Sequence, residues 1–210
     1  MSRALTTKNV LDSKHNLFHF VGLWLSIFGM PEMAGAWLIY GKDKNGKTWG
    51  TLLISEYLSA FAKVLYISAE QGISSSFKDS IKRAKINPNN NKLHYMGYVS
   101  LEELYVILRR KRTAPRIVII DNITFYLDEL KNGAFRKLLK DHPKTLFIFL
   151  AHEDRGEPYT ATAILCKKVA EIIIHVVGLK LLVFGRCPGG EIDIDEEKAA
   201  LFHGQKKLSA

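Results

Sequence analysis

Gly41-Lys42-Asp43-Lys44-Asn45-Gly46-Lys47-Thr48 is the stretch of this 210-residue chain whose residue types and spacing suit the holding of phosphate. It fits the pattern G-x-x-x-x-G-K-[ST]. Glycines at both ends let backbone N–H groups close around phosphate oxygens, and a helix starting there aims its positive end at them. Lys47 is the residue to reach the β- and γ-phosphates, and the Thr48 hydroxyl would complete the oxygen shell of a Mg²⁺ ion.

Such a loop works only if a strand delivers it and a helix leaves it. Residues 36–40 (Ala-Trp-Leu-Ile-Tyr) form a continuous apolar run, hence a buried strand. After the loop, Leu53, Tyr57, Ala60 and Phe61 fall at i, i+4, i+7 and i+8, one face of a helix. Further strands are predicted over 64–68, 93–96, 117–120 and 146–150. Residues 172–177 and 181–184 read as a hairpin about Gly178, with a second turn at Pro188-Gly189-Gly190. Helices are predicted over 18–28, around Phe77, Ile81 and Ala84, and around Leu130, Phe135, Leu138 and Leu139. Another starts at the Ser100/Glu103 capping box, and one runs through Val169 after a polar segment, 153–160. Strands alternating with helices, most of them apolar throughout, indicate an α/β fold: a three-layer, mainly parallel sheet covered on both faces. The late strands have no helix between them, so that edge turns antiparallel. One domain over 16–204 accounts for the pattern, flanked by a flexible basic arm (1–15) and a short tail (205–210).

In open α/β sheets, ligands bind beyond the carboxyl ends of the strands. Here several strands end in a residue with chemistry. The 117–120 run stops at Asp121, the pattern that holds Mg²⁺ through its water shell behind a phosphate loop. The 64–68 run leads to Glu70, a carboxylate able to orient and deprotonate a water; a surface glutamate capping the next helix is the bland alternative. The 146–150 run leads to His152, placed to sense the terminal phosphate, although a lone histidine is more often structural.

Composition narrows the partners. The net charge of +9 and pI near 9.5 point to a polyanion such as nucleic acid. The run 109–112 (Arg-Arg-Lys-Arg) fits a solvated helix end, with a DNA contact as the sharper alternative. Cys166 and Cys187 show neither metal-ligand spacing nor a disulfide framework, which suits a reducing cytoplasm. The apolar stretch 17–30 is too short to span a bilayer and carries His19, so it is expected to be a buried helix and no membrane partner is expected.

Phosphate loop, a strand ending in Glu70, a strand ending in Asp121, a strand ending in His152, then a β-hairpin: this order resembles the RecA-type ATPase core. The family includes strand-exchange recombinases, RadA-like repair proteins and DnaB-like replicative helicases. The resemblance extends from about residue 18 to 195. It implies an ATP- and Mg²⁺-dependent ATPase acting on DNA in recombination, repair or replication, with single-stranded DNA favoured. It also implies a homo-oligomeric ring or filament, of the minimal single-domain kind found in phages and mobile elements. On this resemblance Glu70 is the catalytic glutamate, Asp121 the metal-linked aspartate and His152 the γ-phosphate sensor. The segment 181–186 (Leu-Leu-Val-Phe-Gly-Arg) resembles the late strand that offers a basic residue to a neighbouring subunit, which makes Arg186 the candidate arginine finger. Two departures stand out. Phe184 occupies one of two positions that are usually basic, and the segment after His152, a DNA-binding loop in recombinases, carries three acidic residues and one arginine. These favour, as an alternative, a nucleotide-gated oligomeric scaffold or regulator with little turnover. A small-molecule kinase, the third reading, would need an Arg-rich lid over the phosphates.

Overall fold

The computed structural model describes residues 4–204; the first three residues of the arm and the 205–210 tail lie outside the described residues. A nine-stranded sheet runs through the molecule in the order β3-β2-β4-β5-β1-β7-β8-β9, with β6 paired to β5. The strands are β1 (Gly35–Gly41), β2 (Val64–Ser68), β3 (Leu93–Met96), β4 (Ile117–Asp121), β5 (Leu146–Asp154), β6 (Glu157–Pro158), β7 (Ile172–Val177), β8 (Lys180–Gly185) and β9 (Gly190–Asp193). From β3 to β7 every neighbour is parallel, whereas β8 and β9 are antiparallel. The expected mainly parallel sheet with an antiparallel late edge is therefore present.

The helices are α1 (Thr7–Leu11), α2 (Gly22–Phe28), α3 (Lys47–Ser59), α4 (Ser75–Arg83), α5 (Leu101–Leu108), α6 (Ala134–Asp141), α7 (Ala161–Val169) and α8 (Glu196–Phe202). Side chains alternate across a strand, so each face of the sheet carries its own core. Trp37 and Ile39 of β1 pack on one side with Phe28 of α2, Leu52 and Leu58 of α3 and Phe77 of α4. Ala36, Leu38 and Tyr40 of the same strand pack on the other with Leu104 of α5, Phe135 and Leu138 of α6 and Cys166 of α7. This is the three-layer arrangement that the continuous apolar strands call for.

Four local expectations need correction. The helix expected over 18–28 begins only at Gly22. Phe18 and Phe20 are buried while His19 and Val21 are exposed, a period of two that makes this entry extended, bridged from Leu17 to Glu32. The polar segment after His152 is no open loop, because β5 continues to Asp154 and turns tightly into β6. Arg155 and Gly156 both have positive φ, 50° and 86°, as a two-residue hairpin turn of primed type requires. The helix expected about Leu130 starts at Ala134, with a 3₁₀ turn (Ile123–Tyr126) and a buried Leu130 ahead of it. Finally, β9 and α8 follow the Pro188-Gly189-Gly190 turn without an apolar signature strong enough to announce them. The arm, which has no periodic pattern, contains α1, a five-residue helix closed by a capping box at Thr6 and burying none of its residues. Among the described residues no helix is long and apolar enough to cross a membrane.

Candidate functional site

The parallel register sets the chemistry in one row. Gly41 at the end of β1 pairs with His152 on β5 and with Val176 on β7, and Asp121 at the end of β4 pairs with Ser68 on β2. The Glu70 N–H then donates to the Asp121 carbonyl (3.0 Å), which places Glu70 just beyond β2. Of the residues so placed at the carboxyl ends of the strands, Glu70, Asp121 and His152 line one cavity of about 690 Å³ with Lys47, Thr48 and Asp43.

The loop from Gly41 to Thr48 is held from both sides. A Cβ at Gly41 would sit 2.4 Å from the Val176 carbonyl oxygen, so the strand crossing here has room only for glycine. Gly46 adopts φ +97°, and a side chain there would meet Leu179 at 2.6 Å. Asn45 ties the loop to the β7–β8 turn: its side-chain oxygen accepts from the Gly178 N–H (3.0 Å) and its carbonyl from the Leu179 N–H (3.2 Å). Lys42 and Lys44 are exposed, and Lys44 lines the cavity. Helix α3 starts at Lys47, directly behind the loop.

Lys47 folds onto its own loop. Its Nζ donates to the carbonyls of Gly41 (2.8 Å) and Lys42 (2.9 Å) and to Asp43 Oδ1 (3.3 Å), which uses all three of its donors. The same Asp43 oxygen lies 2.5 Å from His152 Nδ1, close enough for charge attraction but off line for a hydrogen bond. His152 Nε2 is 3.4 Å from Glu70 Oε2, and Asn122 Nδ2 donates to that oxygen from 3.2 Å. Glu70 bound to His152 keeps the imidazole pKa raised despite its partial burial. Conversely, the His152 contact outweighs burial and holds the Glu70 carboxyl low, with Asn122 helping. Burial pushes the Asp43 carboxyl up, but His152 and Lys47 overcome it and the carboxyl is held below its usual range.

Asp121 differs from these exposed or half-buried groups. It is buried, and Oδ2 accepts from both Tyr66 Oη (2.7 Å) and Thr48 Oγ1 (3.3 Å). Burial lifts its pKa to about 6 although both hydroxyls oppose the rise. A desolvated carboxylate beside a hydroxyl, both hard oxygen donors, fits a Mg²⁺ ion, whose charge would reverse that shift. Among the described residues no group of three or more His, Cys, Asp or Glu side chains is placed to hold a metal. Tyr66 is a member that sequence reasoning missed; its signal is a phenol inside a fully buried strand, two residues before the strand's end. The outer part of the cavity was missed as well. There the Trp49 indole carries Lys198 (5.1 Å) and Arg83 (5.8 Å) over its ring, beside Leu179. Aromatic faces edged by cations suit a flat heterocycle.

Arg186 is not brought to this cavity. Gly185 pairs with Ile172, which pairs with Trp37, and the Arg186 N–H donates to the Glu171 carbonyl (2.7 Å). This exposed arginine therefore stands near the beginning of β1, with roughly 15 Å of strand between it and the phosphate loop. Arg109, Arg110, Lys111 and Arg112 also lie at that far end, between α5 and the start of β4, so they form no lid over the cavity.

No protein-family model matches the chain, and no curated protein does. The structure does match solved ones, among them the flagellar accessory protein FlaH from Methanocaldococcus jannaschii. That match has 15% identity and a TM-score of 0.53, covering 74% of this chain and 81% of FlaH. Matches extend to 484 solved chains, and a fold so widely shared does not choose a function. What the likeness to FlaH and the strand order establish together is the fold: this chain is built as a RecA-like P-loop α/β core.

Proposed function

We propose that the chain binds ATP with Mg²⁺ in this cavity, hydrolyses it, and acts on DNA as a head-to-tail homo-oligomer. The observation that carries the reading is the single cavity in which Lys47, Thr48, Glu70, Asp121 and His152 converge from the ends of adjacent parallel strands. Lys47 exchanges its carbonyl partners for phosphate oxygens. Thr48 and Asp121 would hold the magnesium, which when bound neutralises charge on the phosphates. Glu70, kept ionised by His152 and Asn122, is free to orient a water and accept its proton. Trp49 and Arg83 offer the base a stacking surface. Arg186, at the opposite end of the sheet, can complete only the site of another copy, which calls for a heterologous interface. The DNA part of the proposal rests on the +9 charge and on the motif order.

Phosphate release is the test. Turnover should rise with single-stranded DNA and vanish in Lys47→Ala; turnover indifferent to every nucleic acid would remove the DNA part. Weak binding of inorganic tripolyphosphate beside tight binding of ATP would support the Trp49 end as the base site.

A second reading, a nucleotide-gated scaffold with little turnover, has its own support. The short hairpin after His152 buries Glu153 against His175 (2.7 Å) and exposes Asp154 and Glu157, the latter paired with Lys167 (2.7 Å), so the hairpin presents acid beside its one arginine, poor chemistry for a phosphate backbone. Phe184 stands where a second cation would help Arg186. FlaH, similarly folded, is named as an accessory protein of the flagellum. Gel filtration with and without ATP beside a turnover assay separates the two, since ATP-dependent assembly without hydrolysis selects the scaffold.

A further inference from the structure

A phosphate-binding loop ordinarily presents cations and N–H groups to its ligand, so a carboxylate inside it needs an explanation. Asp43 is the third residue of the loop, and its side chain is 73% exposed, free to turn outward. Its inward contacts are to a lysine and a histidine, and both are made by one oxygen. Oδ1 lies 3.3 Å from Lys47 Nζ and 2.5 Å from His152 Nδ1. That oxygen thus marks the point where an anion meets the loop lysine and the β5 histidine together. Beyond it, His152 reaches Glu70 with its other ring nitrogen.

We propose that Asp43 is a specificity determinant that stands in for the terminal phosphate of a nucleoside triphosphate and weights the site toward diphosphate. The inference rests on the nucleotide reading above. A diphosphate engages the loop N–H groups and Lys47, and leaves His152 to Asp43. A triphosphate extends one phosphate further and claims the position between Lys47 and His152. Two anions cannot share that position, so Asp43 must leave Lys47 and His152. Binding of the third phosphate is therefore opposed by a contact that binding of the second is not. The displacement also releases one side of His152, the residue that holds Glu70, so the state of the ligand's end is passed to the carboxylate that handles the water. Asn in place of Asp43 keeps the shape and removes the competing charge. Glu keeps the charge on a longer stem.

The experiment is calorimetric titration of wild type, Asp43→Asn and Asp43→Glu with Mg²⁺-ADP and with a Mg²⁺-bound non-hydrolysable ATP analogue, at constant ionic strength. In Asp43→Asn the analogue should bind about fivefold tighter, the upper range for a solvent-exposed ion pair, with ADP changed by less than about twofold. Asp43→Glu should keep the wild-type ratio within about twofold. Equal tightening of both nucleotides, no change in their ratio, or weaker binding of the analogue to Asp43→Asn would overturn the assignment while leaving the nucleotide site intact. A chain that binds neither nucleotide in any of the three forms would overturn the nucleotide reading and this inference with it.

Discussion

The two ends of the parallel sheet carry similar side chains and do different things with them. At the carboxyl end, Lys47, Asp43, His152, Glu70 and Asn122 form one chain of contacts, and Asp121 is fixed by two hydroxyls. At the amino end, Arg186 is exposed within charge range of Glu171, itself beside Glu32, and the basic run after α5 is exposed; neither lines the cavity at the other end. The difference follows from the strand direction. Parallel strands gather their exits on one side, where loops such as 41–48 converge, and deliver their entries to the other, where each connection goes its own way. A cation at the exit end can act on a ligand of its own chain, and one at the entry end only on something outside it.

The largest effect should come from breaking the exit end. Lys47→Ala removes the loop lysine proposed to meet the phosphates, and hydrolysis should drop to background in a phosphate-release assay. The fold should survive, because that side chain is bonded only to its own loop and to Asp43. The entry end should respond in another way. Arg186→Ala should lower turnover on the order of 10³-fold if it serves as an arginine finger, with nucleotide binding unchanged. Mixing the Lys47→Ala and Arg186→Ala chains should then restore part of the activity, since a mixed assembly holds some sites intact in both respects. A mixture as inactive as its components would confine the machinery to one chain and remove the contrast between the two ends.

How legible this was in the sequence depended on how local each signal is. The loop, and Glu70, Asp121 and His152 at strand ends, could be named because each follows a continuous apolar run, and a parallel sheet aligns the ends of such runs. The capping box at Ser100 and Glu103 set the start of α5 to the residue. Tyr66 was not legible as a site residue. Its neighbour Asp121 is 55 positions away, and within its own strand the ring reads only as core. Asp43 was placed in the phosphate loop by its position, but that it opposes a phosphate depends on His152, brought alongside by the β1–β5 pairing. The extended entry at Phe18 was hidden by apolar residues dense enough to satisfy a helical period, and the hairpin after His152 by a polar composition that also suits an open loop.

Inside the exit end, the contrast can be sharpened by Tyr66→Phe. The ring stays packed against Phe77 and Tyr95 while Asp121 loses its shorter hydrogen bond. Leaving a buried carboxylate short of a donor costs about 1–3 kcal/mol, to be read from denaturant unfolding. Mg²⁺ with nucleotide should recover more stability in this variant than in wild type, because the ion supplies the missing partner. A stability equal to wild type would mean that Tyr66 does not hold Asp121.

The smallest effect concerns pH. The folded protein raises the pKa of His152 above its ordinary 6.5, so this group's contribution to stability is fully present below about pH 6.5 and fades as pH rises through the raised value. Glu70 and Asp43 are lowered from 4.5 and 3.8, so their contributions are present above those values and fade as pH falls through the lowered ones. The cluster therefore stabilises most between about pH 4.5 and 6.5, where the histidine is charged and both carboxylates are ionised. Because Asp43 and Glu70 are open to solvent, screening holds the effect to about 2 °C in the unfolding midpoint. His152→Gln should flatten the fall in midpoint between pH 6 and 8 relative to wild type in parallel thermal melts, at low salt and without nucleotide. Equal slopes would show that the charge on His152 does not hold the exit end together, and that its contacts with Asp43 and Glu70 are steric alone.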